Sequence, residues 1–163
     1  MKTIFRTIGM MVFWLSWPAL YVYLRHTERT RVLLVAGDKV LLIRAWHGPG
    51  DWSLPGGGIR KNEDRAQAAV RELQEETAVA VNTETMQHIG KRNHKEYGLR
   101  FTCSYYLCHI DDVVKIRPRL PEVLEAAWVP MNELARYRLS PDARYALSAY
   151  DSSGTIRQGF SQK

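Results

Sequence analysis

The feature that most limits what this chain can become is a run of glycines followed by a closely spaced set of acids. Pro55-Gly56-Gly57-Gly58 must turn tightly. From Gly57 the sequence runs five residues to Glu63 and seven more to Arg71-Glu72-Leu73-Gln74-Glu75-Glu76-Thr77-Ala78-Val79, so four glutamates fall within fourteen positions. Asp64, with Gln67 three residues on, is helix-starting chemistry and predicts a helix to about Thr77. On it Glu72, Glu75 and Glu76 stand at i, i+3 and i+4 and share one face, turned away from the apolar positions Ala66, Ala69, Val70, Leu73 and Thr77. Like charges on an exposed helix cost only about a few tenths of a kcal/mol per pair, so a solvated acidic face is one reading. The glycines supply another, because they let backbone carbonyls approach the same patch. Carboxylates and carbonyls together are the hard oxygen donors that Mg²⁺ or Mn²⁺ prefers. Arg71 can bridge Glu63, fixing the glycines relative to the helix and leaving the helix glutamates free for metal.

The surrounding pattern reads as strands around that helix. Arg31 to Ala36 and Lys39 to Ala45 flank Gly37-Asp38, which is hairpin chemistry. Trp46 to Gly50 reads as a loop and Trp52-Ser53-Leu54 as a short strand. Thr85 to Gly90, Phe101 to Ile110 and Ala126 to Val129 are further strand candidates, with Asn93 to Gly98 as a loop. Ser140 caps a second helix with Pro141 at its first position, running to about Tyr150. Cys103 and Cys108, five apart on one strand, point to opposite faces and cannot bridge each other.

The stretch from Gly57 to Val79 resembles the Nudix box of MutT-type pyrophosphohydrolases, Gly-x5-Glu-x7-Arg-Glu-apolar-x-Glu-Glu-x-Gly-apolar. Eight of its nine defined positions are met, the exception being Ala78 where the family has glycine. A left-handed helix exit there would cost alanine about 1 kcal/mol, so the exit is free to differ. Trp52, Pro55, Trp128-Val129-Pro130 and Glu133-Leu134 also fit the resemblance, which covers roughly residues 30 to 150. It implies an α/β fold of the α+β type, a Nudix-like α/β/α sandwich with a mixed β-sheet. It also implies a metal-dependent hydrolase that cleaves the phosphoanhydride bond of a nucleoside diphosphate joined to another group. Carried onto this chain, the metal ligands are Glu72, Glu75, Glu76 and the Gly56 carbonyl, with Mg²⁺ or Mn²⁺ as cofactor. Glu75 is a further ligand or the receiver of the water proton. The catalytic set is Glu75, Glu72, Arg71 and Glu63. Glu122 or Glu125 is the candidate for a later acidic ligand.

Substrate contacts are expected outside the box. Arg44, Trp46 and Tyr97 are the named candidates, among neighbouring His47, Lys91, Arg92 and His94. For Trp46 and Tyr97 packing against the sheet rim competes with base stacking, and the histidines read as loop residues. The net charge of +6 and pI near 9.5 suit an anionic partner. A small nucleotide is the leading one. Trimming of RNA 5′ ends, which would weaken steeply with salt, and a non-catalytic tethered nucleotide-binding module are the alternatives.

The first thirty residues are different in kind. Thr7 to Leu24 carries no charge and would reach about 27 Å as a helix, enough for a hydrocarbon core. We expect an N-terminal transmembrane or signal-anchor helix over 1–28, the hydrolase domain over 29–150 and a flexible tail over 151–163. A cleaved signal peptide lacks its small-x-small site here. Pro18 keeps an interfacial or packed helix as an alternative. Lys2 and Arg6 before the span, against Arg25, Arg29, Arg31, Lys39 and Arg44 after it, place the domain in the cytoplasm by the positive-inside rule.

Overall fold

The computed structural model describes residues 11, 12, 15, 28–46, 49–96 and 99–152. Five strands form one sheet: β1 (Glu28–Ala36), β2 (Lys39–Ala45), β3 (Gln87–Glu96), β4 (Leu99–Ile110) and β5 (Val123–Pro130). Their order is β3-β4-β1-β2-β5. β1 and β4 run parallel while the other pairs are antiparallel, which is the expected mixed sheet. Val32 to Ala36 is buried without interruption, as a strand covered on both faces requires.

One helix lies on each face. α1 (Arg65–Thr77) packs Ala69 and Leu73 on Val32, Leu34, Leu41 and Tyr106. α2 (Pro141–Ser152) packs Ala143, Ala146 and Tyr150 on Leu33, Val35, Leu42 and Tyr105. Cys103 belongs to the α2 side and Cys108 to the α1 side, and both are free thiols. The alternation along β4 thus separates them as expected.

Asp64 caps α1, accepting from the amides of Ala66 and Gln67 at 2.8 and 3.1 Å. At the other end Ala78 takes the left-handed conformation, φ 61° and ψ 17°, and its N–H donates to the Gln74 carbonyl. The exit therefore keeps the geometry that glycine would supply, and alanine bears the strain.

Several expected boundaries move. The expected loop, Asn93 to Gly98, is strand as far as Glu96, because β3 and β4 pair from Gln87↔Leu107 to Glu96↔Leu99 with a bulge between His88 and Gly90. Thr83–Thr85 is a 3-10 turn capped by Asn82, not the start of a strand. Trp52 and Ser53 make isolated bridges to Leu139 and Ile43 rather than a strand of their own. β1 starts at Glu28 rather than at Arg31, so Arg29, counted above as flanking charge, is a strand residue too. The expected membrane segment lies outside the described residues except for Met11, Val12 and Leu15. Among the described residues no helix is long and apolar enough to cross a membrane.

β1 and β2 pair only next to their turn, at Val35↔Val40 and Ala36↔Lys39. The glycine segment fills the gap that then opens between them. Ile43 and Ser53 exchange backbone bonds of 2.9 Å, the Val32 N–H donates to the Pro55 carbonyl at 2.9 Å and the Thr30 N–H donates to the Gly57 carbonyl at 2.8 Å. This insertion brings the glycines beside α1.

Candidate active site

Gly56 can only be glycine. Its φ is +139°, and a Cβ there would stand 2.2 Å from the Thr30 carbonyl oxygen. Held in this way, its N–H donates to Glu76 Oε2 at 2.8 Å. Gly57 is limited in a different way: a Cβ on it would lie 2.5 Å from Glu72 Oε2, a flexible carboxylate that would have to move aside. The bare backbone at 56 and 57 is what allows two helix carboxylates to close on the bend.

Arg71 sets the distance between helix and bend. Its Nε and Nη2 donate to the two oxygens of Glu63 at 2.6 and 2.9 Å, and Nη2 also reaches the Gly58 carbonyl at 3.0 Å. Such a two-pronged pair fixes orientation as well as separation. Hydrogen bonding from Arg71 draws the Glu63 carboxyl down to about 2. The expectation that Arg71 leaves the helix glutamates alone is corrected, since its Nη1 donates to Glu72 Oε1 at 2.7 Å.

The three helix glutamates are neighbours that differ in burial and in partners. Glu76 is 7% exposed. Burial pushes its carboxyl up to about 7, aided by the nearby charges of Glu72 and Glu122 and opposed by the Gly56 amide and Arg31. Glu75 turns outward to Arg60 at 3.1 Å and Arg119 at 3.3 Å. Arg71 Nη1 also stands 3.6 Å from Glu75 Oε1, so one guanidinium bridges Glu72 and Glu75, and among the described residues no three His, Cys, Asp or Glu form a group that could hold a metal ion.

The Gly56 carbonyl, expected as a metal ligand, accepts from Arg31 Nη1. Arg31 is itself ion-paired with Asp142 of α2. Despite burial, this pairing raises the Arg31 guanidinium and lowers the Asp142 carboxyl from their ordinary values. The donor chemistry fits a divalent cation: Glu72 and Glu76 adjoin the bend with oxygen donors only, and Glu76, whose carboxyl burial pushes up to about 7, is the kind of group that a cation would draw back to its charged form.

The remaining expected residues divide. Glu122 stands close enough to Glu76 to influence its charge, because the 111–122 segment is tied to the end of α1 by the Arg117 and Arg119 amides on the Thr77 and Glu76 carbonyls. Glu125 instead pairs with Arg44 at 2.6 Å, and the Arg44 guanidinium also lies over Trp52 at 5.4 Å. Trp46 is joined through its N–H to the Glu122 carbonyl at 3.1 Å, which keeps it near the acidic end. Lys91 pairs with Glu28 at 2.5 Å and Arg92 lies over Tyr145 at 5.1 Å. His94 is corrected from a loop residue to a buried strand residue stacked on Phe101, its Nε2 shared with the Tyr105 hydroxyl. Tyr97 and His47 fall outside the described residues.

Arg31, Arg60, Arg119 and Asp142 were missed. Arg31 is readable as flanking charge and as the start of the first strand, and nothing in the spacing tells that β1 carries it beside Gly56.

The family model described as NUDIX domain matches residues 25–150. Among curated proteins, diphosphoinositol polyphosphate phosphohydrolase 2 of Homo sapiens is 34% identical over 82 residues, 48% of this chain and 46% of that protein. Nudix hydrolase 6 of Arabidopsis thaliana is 30% identical over 88 residues, 53% of this chain and 30% of that protein. The chain thus spans less than half the length of these relatives. Among solved structures, a MutT NUDIX hydrolase from Burkholderia pseudomallei aligns with a TM-score of 0.68 at 23% identity, over 76% of this chain and 96% of that one. The NUDIX domain of Shewanella oneidensis NrtR, complexed with ADP ribose, aligns at 0.69 and 20% identity over 77% and 86%. At these identities the structural likeness establishes the fold.

Proposed function

Because the chain belongs to the Nudix domain family, we propose that it hydrolyses a phosphoanhydride bond in a nucleoside diphosphate joined to another group, by metal-dependent attack of water at phosphorus. The observation that carries this reading is the placement of Glu72 and Glu76 against the Gly56–Gly57 bend by the Arg71–Glu63 brace. A divalent ion held by Glu72, Glu75 and Glu76 would neutralise phosphate oxygens and make water a better nucleophile.

The chain's own residues account for the rest. The Gly56 amide keeps one Glu76 oxygen fixed, so its carboxylate is presented without a search through rotamers. Glu75, partly exposed and paired with Arg60, Arg71 and Arg119, is the further ligand or the receiver of the proton of the attacking water. Arg60 and Arg119, once released from Glu75, can turn to a phosphate at the mouth of the site. Glu122 adds negative charge at the same end.

The test is a panel of nucleoside triphosphates, dinucleoside polyphosphates, nucleotide sugars and ADP ribose, with a diphosphoinositol compound beside them. Each is incubated with Mg²⁺ or Mn²⁺ while released phosphate and pyrophosphate are followed. We expect turnover of at least one nucleotide compound, abolished in Glu76→Gln and Glu75→Gln with the fold intact. Unchanged turnover in both variants would remove the assignment. We further propose that residues 1–28 anchor the domain to a membrane with the catalytic part on the cytoplasmic side. Recovery of the full chain in the soluble fraction, like a version lacking that segment, would refute the anchor.

A further inference from the structure

Arg29 has a position that the catalytic set does not explain. It lies on β1 opposite Gly58 in an isolated antiparallel bridge, so its side chain projects on the same face as the absent side chain of that glycine. A Cβ on Gly58 would meet nothing within 4 Å, which leaves open space beside Arg29. The guanidinium lies over the Phe101 ring at 5.9 Å from its centroid. That ring is backed in turn by His94, stacked at 5.4 Å.

Every other arginine of β1, β2 or the box has an acidic partner: Arg31 has Asp142, Arg44 has Glu125 and Arg71 has Glu63. Arg29 pairs with no carboxylate among the described residues, yet it is only half exposed to solvent at most. Burial and the neighbouring Arg31 both lower its guanidinium from the ordinary value, while Glu72 and Glu76 lie near enough to attract it without bonding it. A half-buried cation with an aromatic wall and no counter-charge is costly to keep unless an anion comes to it.

Resting on the hydrolase reading above, we propose that Arg29 binds a phosphate of the substrate. That group occupies the space over Gly58 and stands beside the bond presented to Glu72 and Glu76. Glu72 stands where a Cβ on Gly57 would be, and Arg29 is paired with the next residue, Gly58.

Inorganic pyrophosphate, with chelator present so that no metal takes part, is the probe. It should raise the Tm of the full chain, and the rise should vanish in Arg29→Gln and in Gly58→Leu, which fills the space and keeps the charge. Without pyrophosphate, Arg29→Gln loses the contact with Phe101 as well as the charge, so each protein's response is read against its own Tm without ligand. In turnover, Arg29→Gln should raise KM at least tenfold with kcat little changed, and Arg29→Lys should restore part of it. A pyrophosphate response equal in all three proteins overturns the proposal. Loss of turnover in Glu76→Gln beside an unaffected pyrophosphate response in Arg29→Gln would leave the hydrolase standing and this inference fallen. The converse pattern would do the opposite.

Discussion

At the residue scale, Ala78 and Glu76 hold conformations or protons that ordinary chemistry disfavours. Alanine at φ 61° carries a strain that glycine does not, so Ala78→Gly should stabilise the chain by about 1 kcal/mol. Thermal melting should show this as a rise of roughly 2–4 °C; a fall would mean that the alanine methyl makes a contact worth more than the strain. Glu76 sits near 7 against an ordinary 4.5. The folded chain therefore holds a proton that the unfolded chain releases between those values, and in chelator its stability should decline as pH rises from about 4.5 through about 7. Mn²⁺ binding needs the charged carboxylate and should strengthen across about pH 6 to 8. Calorimetric titration against pH measures this directly, and Glu76→Gln should flatten both trends.

At the element scale, the site depends on a loop and a helix held in fixed relation. Arg71→Ala leaves the Glu63 carboxylate facing a partly buried space without its partner and should cost about 2 kcal/mol in chemical denaturation. Because Glu63 is drawn down to about 2, the stability that it contributes is present above about pH 4.5 and is lost as pH falls through about 2. Arg71→Gln should show less of that acid dependence. Gly57→Ala should keep the fold but displace the Glu72 carboxylate, which a Cβ would meet at 2.5 Å, lowering kcat/KM at least tenfold. An active Gly57→Ala with ordinary kinetics would argue that Glu72 is not needed where it stands.

These elements were also the legible ones. The helix from Arg65 to Thr77, its Asp64 cap and the β1–β2 hairpin follow from spacing, capping chemistry and Gly37-Asp38, all of which are local. The Arg71–Glu63 brace was legible because both partners belong to one spaced pattern. The length of β3 was not, since Asn93 to Glu96 is polar and becomes strand only by pairing with β4. Arg31 on Asp142 and Arg119 on Glu75 join residues 111 and 44 positions apart, and no local signal encodes such pairs.

At the scale of the whole molecule, the sheet acts as a partition whose central split is filled by glycine backbone. α1 brings carboxylates to that split from one face. From the other, α2 brings Asp142, which Ser140 and the Ala143 amide hold in place and which holds Arg31 on the Gly56 carbonyl. Disturbing α2 should therefore be felt at the catalytic bend. Asp142→Asn is expected to weaken Mn²⁺ binding severalfold as well as lowering Tm, and a change in Tm alone would confine that pair to stability. The most direct test of the account is turnover of an accepted nucleotide diphosphate compound in ¹⁸O-labelled water with Mg²⁺. The account predicts one ¹⁸O incorporated into a phosphate-bearing product at a rate that Glu76→Gln abolishes. Label appearing in a carbon-bound hydroxyl, or a Glu76→Gln protein turning over like the parent, would contradict it.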